Sequence, residues 1–179
     1  MTSSGLQVAR AEDDDIRDAF RAAMRAFTGT VTLITTRTEH GEWRGMAATA
    51  VTSISMEPPT CLVCVNRETT LYPAVMASRR FCINAMHRDH HALMSSFTKP
   101  ECRSARFQSG PWRLGHNSIP FLENAQSNIF CEMFDSLAVG THDVIFGRVI
   151  NVTLRPDHDP LLYGNGNYLQ QAGVLTKSR

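Results

Sequence analysis

The sequence predicts a mainly β protein with short helices, built as an antiparallel barrel with helices at its periphery. Three observations carry that reading. Two long β-rich segments, residues 125–138 and 142–154, are separated only by Val139-Gly140-Thr141, the spacing of a hairpin. Residues 60–66 form a near-continuous apolar run, as in a strand enclosed on both faces. Strands do not alternate with long helices, so a doubly wound parallel sheet is excluded in favour of a barrel of about seven strands.

Residues 1–14 read as a loose arm, with Asp13 or Asp14 placed to cap a helix. Ile16, Ala19, Phe20, Ala23, Met24 and Phe27 then recur at three- and four-residue spacing, an amphipathic helix that Thr28 and Gly29 end. Residues 31–38 are β-rich, and Glu39-His40-Gly41-Glu42 suits a hairpin connection. Residues 44–55 read as one strand of small side chains running to the break at Pro58-Pro59. After the 60–66 strand come a short helix (70–78), a strand (81–86) and a second short helix (89–97). Residues 98–118 are loop-like, broken by Pro100, Gly110, Pro111 and Gly115. A tail around Tyr163 and Tyr168 closes a single domain at 15–172, leaving 173–179 as an extension.

Composition bounds the function. Of 179 residues, 42% are hydrophobic and 20% charged, an ordinary globular balance. The net charge of +1 gives no electrostatic basis for nucleic acid or an anionic membrane surface as partner. Apolar runs fall far short of the roughly 20 residues that span a bilayer. The polar, then acidic, N-terminus has no apolar core of an export signal, and five cysteines are an odd number. Reduced thiols in a cytoplasm are the expectation.

Several chemistries lack their motif. Neither G-x-G-x-x-G nor G-x-x-x-x-G-K-[ST] occurs, and G-x-S-x-G is absent. Cys61 and Cys64 match C-x-x-C, but residues three apart on a strand point to opposite faces, so two small hydrophobes fit better than a redox or metal pair. His87, His90 and His91 lack a convincingly spaced acidic or cysteine partner beyond Asp89, which favours a polar helix start over a metal centre.

The informative stretch is Gly45-Met46-Ala47-Ala48-Thr49-Ala50-Val51-Thr52-Ser53-Ile54-Ser55. Small and hydroxylated side chains leave room for a flat ligand beside the backbone and can hold phosphate oxygens without a glycine loop. The same composition also suits a plain edge or core strand.

The order of short motifs goes further. Phe20-Arg21-x-Ala23-Met24-x-x-Phe27, the small-residue strand, Pro58-Pro59, Cys64-Val65-Asn66-Arg67, Phe81-x-x-Asn84, Phe97, Arg106-Phe107 and Gly140-Thr141-His142-x-x-x-x-Gly147-Arg148-Val149 follow one another. This arrangement resembles the flavin reductase family with the FMN-binding split-barrel fold, the reductase components of two-component aromatic hydroxylases. It covers roughly residues 16–170.

The resemblance implies a set of site residues. Ala48, Thr49, Ala50, Val51, Thr52 and Ser53 would cradle the ribityl chain and phosphate of FAD or FMN. Val65, Asn66 and Arg67 would lie near the isoalloxazine ring, with Thr69 and Thr70 as hydroxyl-bearing positions just beyond. Asn84 would contact the ligand, and Phe81 would serve either as contact or as core. His142 would stand at the nicotinamide end, or merely pin its hairpin. The family usually has Gly-Asp-His there, so an orienting acid would have to be Asp143 or be missing. Ala47 stands where the family often has threonine. Phe97, Arg106, Tyr163 and Tyr168 are candidates for the nicotinamide side, Arg106 alternatively for a surface ion pair.

The implied activity is hydride transfer from NADH or NADPH to FAD or FMN by a homodimer. Reduced flavin would pass to a separate oxygenase component in aromatic-compound degradation. A split-barrel flavoprotein oxidase that keeps its flavin, and a non-enzymatic flavin-binding module, are the competing readings.

Overall fold

A computed structural model describes residues 13–169. Helix α1 (Asp13–Met24) leads into β1 (Gly29–Thr30), β2 (Thr32–Arg37), β3 (Trp43–Ala48), β4 (Val51–Met56) and β5 (Pro59–Asn66). Helix α2 (Leu71–Ser78) and β6 (Arg80–Ala85) follow, then a 3₁₀ segment (Arg88–Met94) running into α3 (Ser95–Thr98). A second 3₁₀ segment (Pro100–Ala105) precedes β7 (Trp112–Leu114) and β8 (Pro120–Leu122). The long hairpin of β9 (Ser127–Val139) and β10 (His142–Leu154) is followed by the small hairpin of β11 (Leu162–Gly164) and β12 (Asn167–Leu169).

The main sheet has seven antiparallel strands in the order β3-β2-β6-β9-β10-β5-β4. Strands β3 and β4 stand at its opposite edges, yet only Thr49 and Ala50 join them. A chain spans at most about 3.6 Å per residue, so the sheet must curl until its edges nearly meet. They do not pair, which leaves the barrel split along that seam. Residues 44–55 are therefore two strands, not the single one expected. No glycine or proline marks the break, because the sheet's curvature rather than turn chemistry makes it.

Other boundaries moved for similar reasons. Helix α1 starts at Asp13, inside the expected arm, and ends at Met24, ahead of Thr28. The rest of that arm and residues 173–179 lie outside the described residues. The expected 89–97 helix divides into 3₁₀ and α segments, and residues 98–118 contain the second 3₁₀ segment and β7.

The barrel core packs Ile34, Val63, Val65, Leu71, Val75, Phe81, Ile83 and Ile145, all essentially inaccessible. Gly147 lets β10 pass over Phe81: a Cβ there would come within 2.6 Å of Phe81 Cζ and 2.9 Å of Cys131 Cβ. The Cys61 and Cys131 thiols meet 3.5 Å apart, and all five cysteines are free. Cys61 is buried while Cys64 is half-buried, in keeping with opposite faces of β5.

A buried polar network ties the sheet to β8. The Asn84 amide donates to Leu33 O (2.8 Å) and Thr35 Oγ1 (3.0 Å). Its Oδ1 accepts from Leu122 N (2.8 Å) and from Asn128 Nδ2 (2.9 Å). Every polar atom of the Asn84 side chain is thus committed inside the core, where an unmet group would cost far more than a met one gains. Asn84→Ala should lower unfolding stability by about 2–4 kcal/mol, because several buried groups lose their partners at once. Urea denaturation of the two proteins measures it; a loss within experimental error would mean the network does not hold the sheet together.

Candidate functional site

The seam of the split barrel opens into a cleft of about 520 Å³. Its wall comes from β3 (Gly45, Met46, Ala47), from the turn after β5 (Asn66, Glu68, Thr69, Thr70), from α3 (Phe97, Thr98), from Arg103 and Arg106, and from His142. Two recesses adjoin it along β3 and the edge-crossing link. One of about 480 Å³ is lined by Ala47, Ala48, Thr49, Thr98, Tyr163 and Tyr168. The other, of about 610 Å³, includes Arg25, Phe27, Thr49, Ala50, Val51 and Gly164.

His142 is brought here by register. It opens β10 and lies opposite Asn66, the last residue of β5. Gly140, at φ +55°, makes the tight turn that returns the chain. Arg67 then fastens the hairpin to the Asn66 turn. Its Nε donates to Asp143 Oδ1 (2.6 Å) and its backbone N–H to Thr141 O (3.1 Å). The Tyr72 hydroxyl donates to the other Asp143 oxygen at 3.0 Å. These bonds hold the Asp143 carboxyl below the ordinary carboxylate range, Arg67 first, while the same carboxylate raises the Tyr72 hydroxyl.

Asp143 is therefore spent on Arg67 and Tyr72 and does not orient His142. Thr141 does: its hydroxyl lies 2.9 Å from His142 Nδ1. That bond fixes the ring's rotation and leaves Nε2 for another partner. Of the two expectations, that an orienting acid is Asp143 or is missing, the second holds: Asp143 faces away because neighbouring strand residues point opposite ways, and a hydroxyl takes the acid's place.

Among the described residues, Arg106 forms no ion pair with an acidic residue. Its guanidinium donates to Ser96 O (3.1 Å), Gly45 O (3.1 Å) and Phe97 O (3.2 Å) and stands 5.6 Å from the Phe97 ring centroid. It clamps the residues after α3 onto β3. Burial, and then the nearby Arg103 charge, lower it from its ordinary value. Gly45 permits this approach, since a Cβ would come within 2.9 Å of both Phe97 and Phe107. Phe107 occupies the left-handed region at φ +67°, held between the rings of Trp43, Phe97 and Trp112.

The residues singled out from sequence thus divide. Asn66, Thr69, Thr70, Phe97, Arg106 and His142 share the cleft. Ala48, Thr49, Ala50, Val51 and Tyr168 line the adjoining recesses. Asn84, Phe81 and Val65 do not reach them: their side chains are wholly enclosed in the core, and Val65 offers at most its backbone. Thr52 and Ser53 are exposed on β4, and Arg67 braces the hairpin rather than facing in. His87 and His90 form a capping box at the start of the 3₁₀ segment, and no metal-ligating group of three occurs among the described residues.

Glu68, Thr98 and Arg103 line the cleft without having been singled out by sequence. Nothing local in the sequence marks Arg103, whose place depends on how the 3₁₀ segment packs.

The arrangement suits a flat ring with a phosphate. Gly45, Ala47 and Ala48 leave β3 backbone open beside a cavity floored by Phe97. The Thr70 hydroxyl, at the N-cap of α2, makes no capping bond and remains available. Arg103 has no ion-pair or hydrogen-bond partner for its side chain among the described residues. A flavin, whose ring is planar and whose ribityl chain ends in phosphate, fits this donor set.

Comparison with known proteins agrees. Residues 24–172 match the family model described as the flavin reductase like domain. The chain is 35% identical over 169 residues to the reductase component of an FADH(2)-dependent resorcinol hydroxylase from Rhizobium sp., covering 94% of each. It is 35% identical over 150 residues to the FMN reductase (NADH) RutF of Pseudomonas syringae pv. syringae, 84% of each. Among solved structures, the NADH:FAD oxidoreductase SgcE6 of Streptomyces globisporus, in complex with NAD and FAD fragments, superposes with a TM-score of 0.82. The two share 25% identity over 92% of this chain and 98% of that one.

The Asp143 latch should be sensitive to acid. A carboxyl depressed in the folded state contributes stability that is present above the unfolded value and lost as pH falls through the folded one. Asp143→Asn should remove that acid-sensitive part. Thermal melts across pH 3–7 should show the difference between wild type and variant shrinking toward the acid end, whereas a constant difference would contradict the latch.

Proposed function

The chain belongs to the flavin reductase like family, and from that membership we propose that it oxidises NADH, passes the hydride to FAD or FMN, and supplies the reduced flavin to a separate monooxygenase component. The observation that best supports this is the meeting of Asn66, Thr69, Thr70, Phe97, Arg106 and His142 on one cleft beside the small-residue strand. Two relatives similar over most of the chain each support it in part: one is named as the reductase component of an FADH(2)-dependent resorcinol hydroxylase, the other as an FMN reductase (NADH).

Hydride transfer between nicotinamide and flavin is chemistry that the two nucleotides supply between themselves. The protein has to hold the rings in contact, exclude water and orient donors. Ala47, Ala48 and Gly45 keep the flavin-side wall flat. Phe97 and the ring pair Tyr163–Tyr168, 5.5 Å apart, keep the walls apolar. His142, turned by Thr141, presents Nε2 at the hairpin edge, where the nicotinamide would lie. No general base or nucleophile is needed for this transfer.

Two copies are the working unit in this reading. Helix α1 and its exit leave Ile16, Phe20, Met24 and Phe27 between 47% and 68% exposed, and the tip of the long hairpin exposes Phe134, Leu137 and Val139 by more than half. Pairing would cover such surfaces. The domain is read as residues 15–172, acting in the cytoplasm, with a partner oxygenase that works on an aromatic compound. A resorcinol hydroxylase reductase among the relatives supports that partner class. No helix among the described residues is long and apolar enough to cross a membrane.

Steady-state NADH oxidation should accelerate when FAD or FMN is added, and His142→Ala should lower kcat roughly 10- to 100-fold through loss of positioning. Oxidation indifferent to added flavin would overturn the function. In sedimentation, the wild type should run as a dimer and Phe20→Asp should shift it toward monomer; a monomeric wild type would remove the pairing.

A further inference from the structure

The charges on the cleft wall are sorted by end. Arg103 and Arg106 line both the cleft and a side cavity of about 290 Å³ that opens past β3 toward Trp43 and Arg44. Arg106 donates to Gly45 O of β3, so the two cations lie along the wall read above as the flavin side. Glu68 and His142 line the cleft but not that cavity, and they belong to its hairpin end. Among the described residues, Glu68 is the one acid on the cleft wall.

Local structure holds Glu68 there. Its backbone N–H donates to Asn66 Oδ1 at 2.9 Å, and the Thr69 N–H and hydroxyl both donate to Asn66 O, at 3.1 and 2.8 Å. The residue between, Arg67, ties this turn to the hairpin through Asp143, Thr141 O and His142 O. Arg67 is thereby committed to Asp143, and the Glu68 carboxylate has no ion-pair or hydrogen-bond partner among the described residues. A carboxylate fixed at its backbone and unpaired at its head is available to a ligand. Its side chain is exposed, so water screens it in the open cleft. A seated ligand that displaces this water strengthens the field it feels.

We infer that Glu68 is a further catalytic residue, whose carboxylate stabilises the positive charge that appears on the nicotinamide as its hydride leaves. The inference rests on the reading that hydride passes from NADH to flavin in this cleft, with the nicotinamide at His142. In that step the C4–H bond of the dihydropyridine breaks, and the hydrogen moves with both electrons to form an N5–H bond on the flavin. The neutral nicotinamide ring becomes a pyridinium cation and the flavin becomes an anion. The carboxylate therefore gains little from the neutral dihydropyridine and most from the developing cation, which is the differential binding that lowers a barrier. Arg103 and Arg106, on the flavin side, favour the negative charge that arrives there. The field of the cleft thus runs along the direction in which charge moves.

Glu68→Gln keeps the length of the side chain and its hydrogen-bond acceptor while removing the charge. Calorimetric titration of the flavin-saturated full chain compares NAD⁺ with the tetrahydro form of NADH, whose ring is neutral and unreactive. Glu68→Gln should weaken NAD⁺ binding about tenfold and leave the tetrahydro form within about twofold. In anaerobic single-turnover mixing with NADH, flavin reduction should slow about fivefold, and Glu68→Asp should recover most of that loss. Thermal melting confirms that both variants are folded. NAD⁺ affinity unchanged in Glu68→Gln, or equal weakening of the charged and neutral rings, would overturn the inference. Slower reduction with NAD⁺ binding untouched would do the same, since it makes Glu68 a positioning residue for the ring. Wild-type protein whose bound flavin NADH does not reduce would sink the function proposed above and this inference with it.

Discussion

The register of β10 on β5 is the constraint on which the site depends. His142 sits opposite Asn66 because Gly147 sits opposite Cys61, and Gly147 sits there because only a residue without a side chain clears Phe81. A one-residue slip would send His142 to the other face and drive Asp143 into the cleft. The Arg67–Asp143 pair, 2.6 Å apart, secures the same register at the open end of the strands, where hydrogen bonding alone would fray. Core packing and cleft geometry are thus one alignment seen at two ends of a strand.

The split in the barrel follows from an equally local cause. A two-residue link between the edge strands curls the sheet but does not let the edges pair, and the unpaired seam is where a ligand can approach backbone. The α3 segment and the 3₁₀ turn after it cover that seam, with Arg106 converting three carbonyls into a single clamp. Burying a guanidinium is tolerable here because each donation goes to a full acceptor and the Phe97 face lies beneath.

How much of this could be read from sequence depended on how local its cause was. The long hairpin was legible because its β-rich runs flank Gly140, and so was the placement of His142. The break at Thr49-Ala50 was not, since no turn residue marks it and curvature is a property of the whole sheet. Asn84 was expected as a ligand contact only through the Phe81-x-x-Asn84 match to the family, and nothing local in the sequence names its partners. Its partners, Leu33, Thr35, Leu122 and Asn128, come from three other strands. Thr141 was legible as a departure from Asp but not as a substitute, because a hydroxyl does the orienting without supplying charge. Thr70 was among the positions the resemblance implied, whereas Arg103 emerges only when the 3₁₀ turn after α3 is folded against the cleft.

Direct hydride passage between two rings held in fixed orientation by this cleft is the central claim. Anaerobic mixing of the protein with FAD and NADH deuterated at one or the other C4 position tests it most directly. Loss of the flavin's visible absorbance should be slowed by deuterium at one C4 position and not at the other, since a fixed nicotinamide presents a single face. Absorbance that persists, or that fades at one rate whichever position carries the label, would contradict the account.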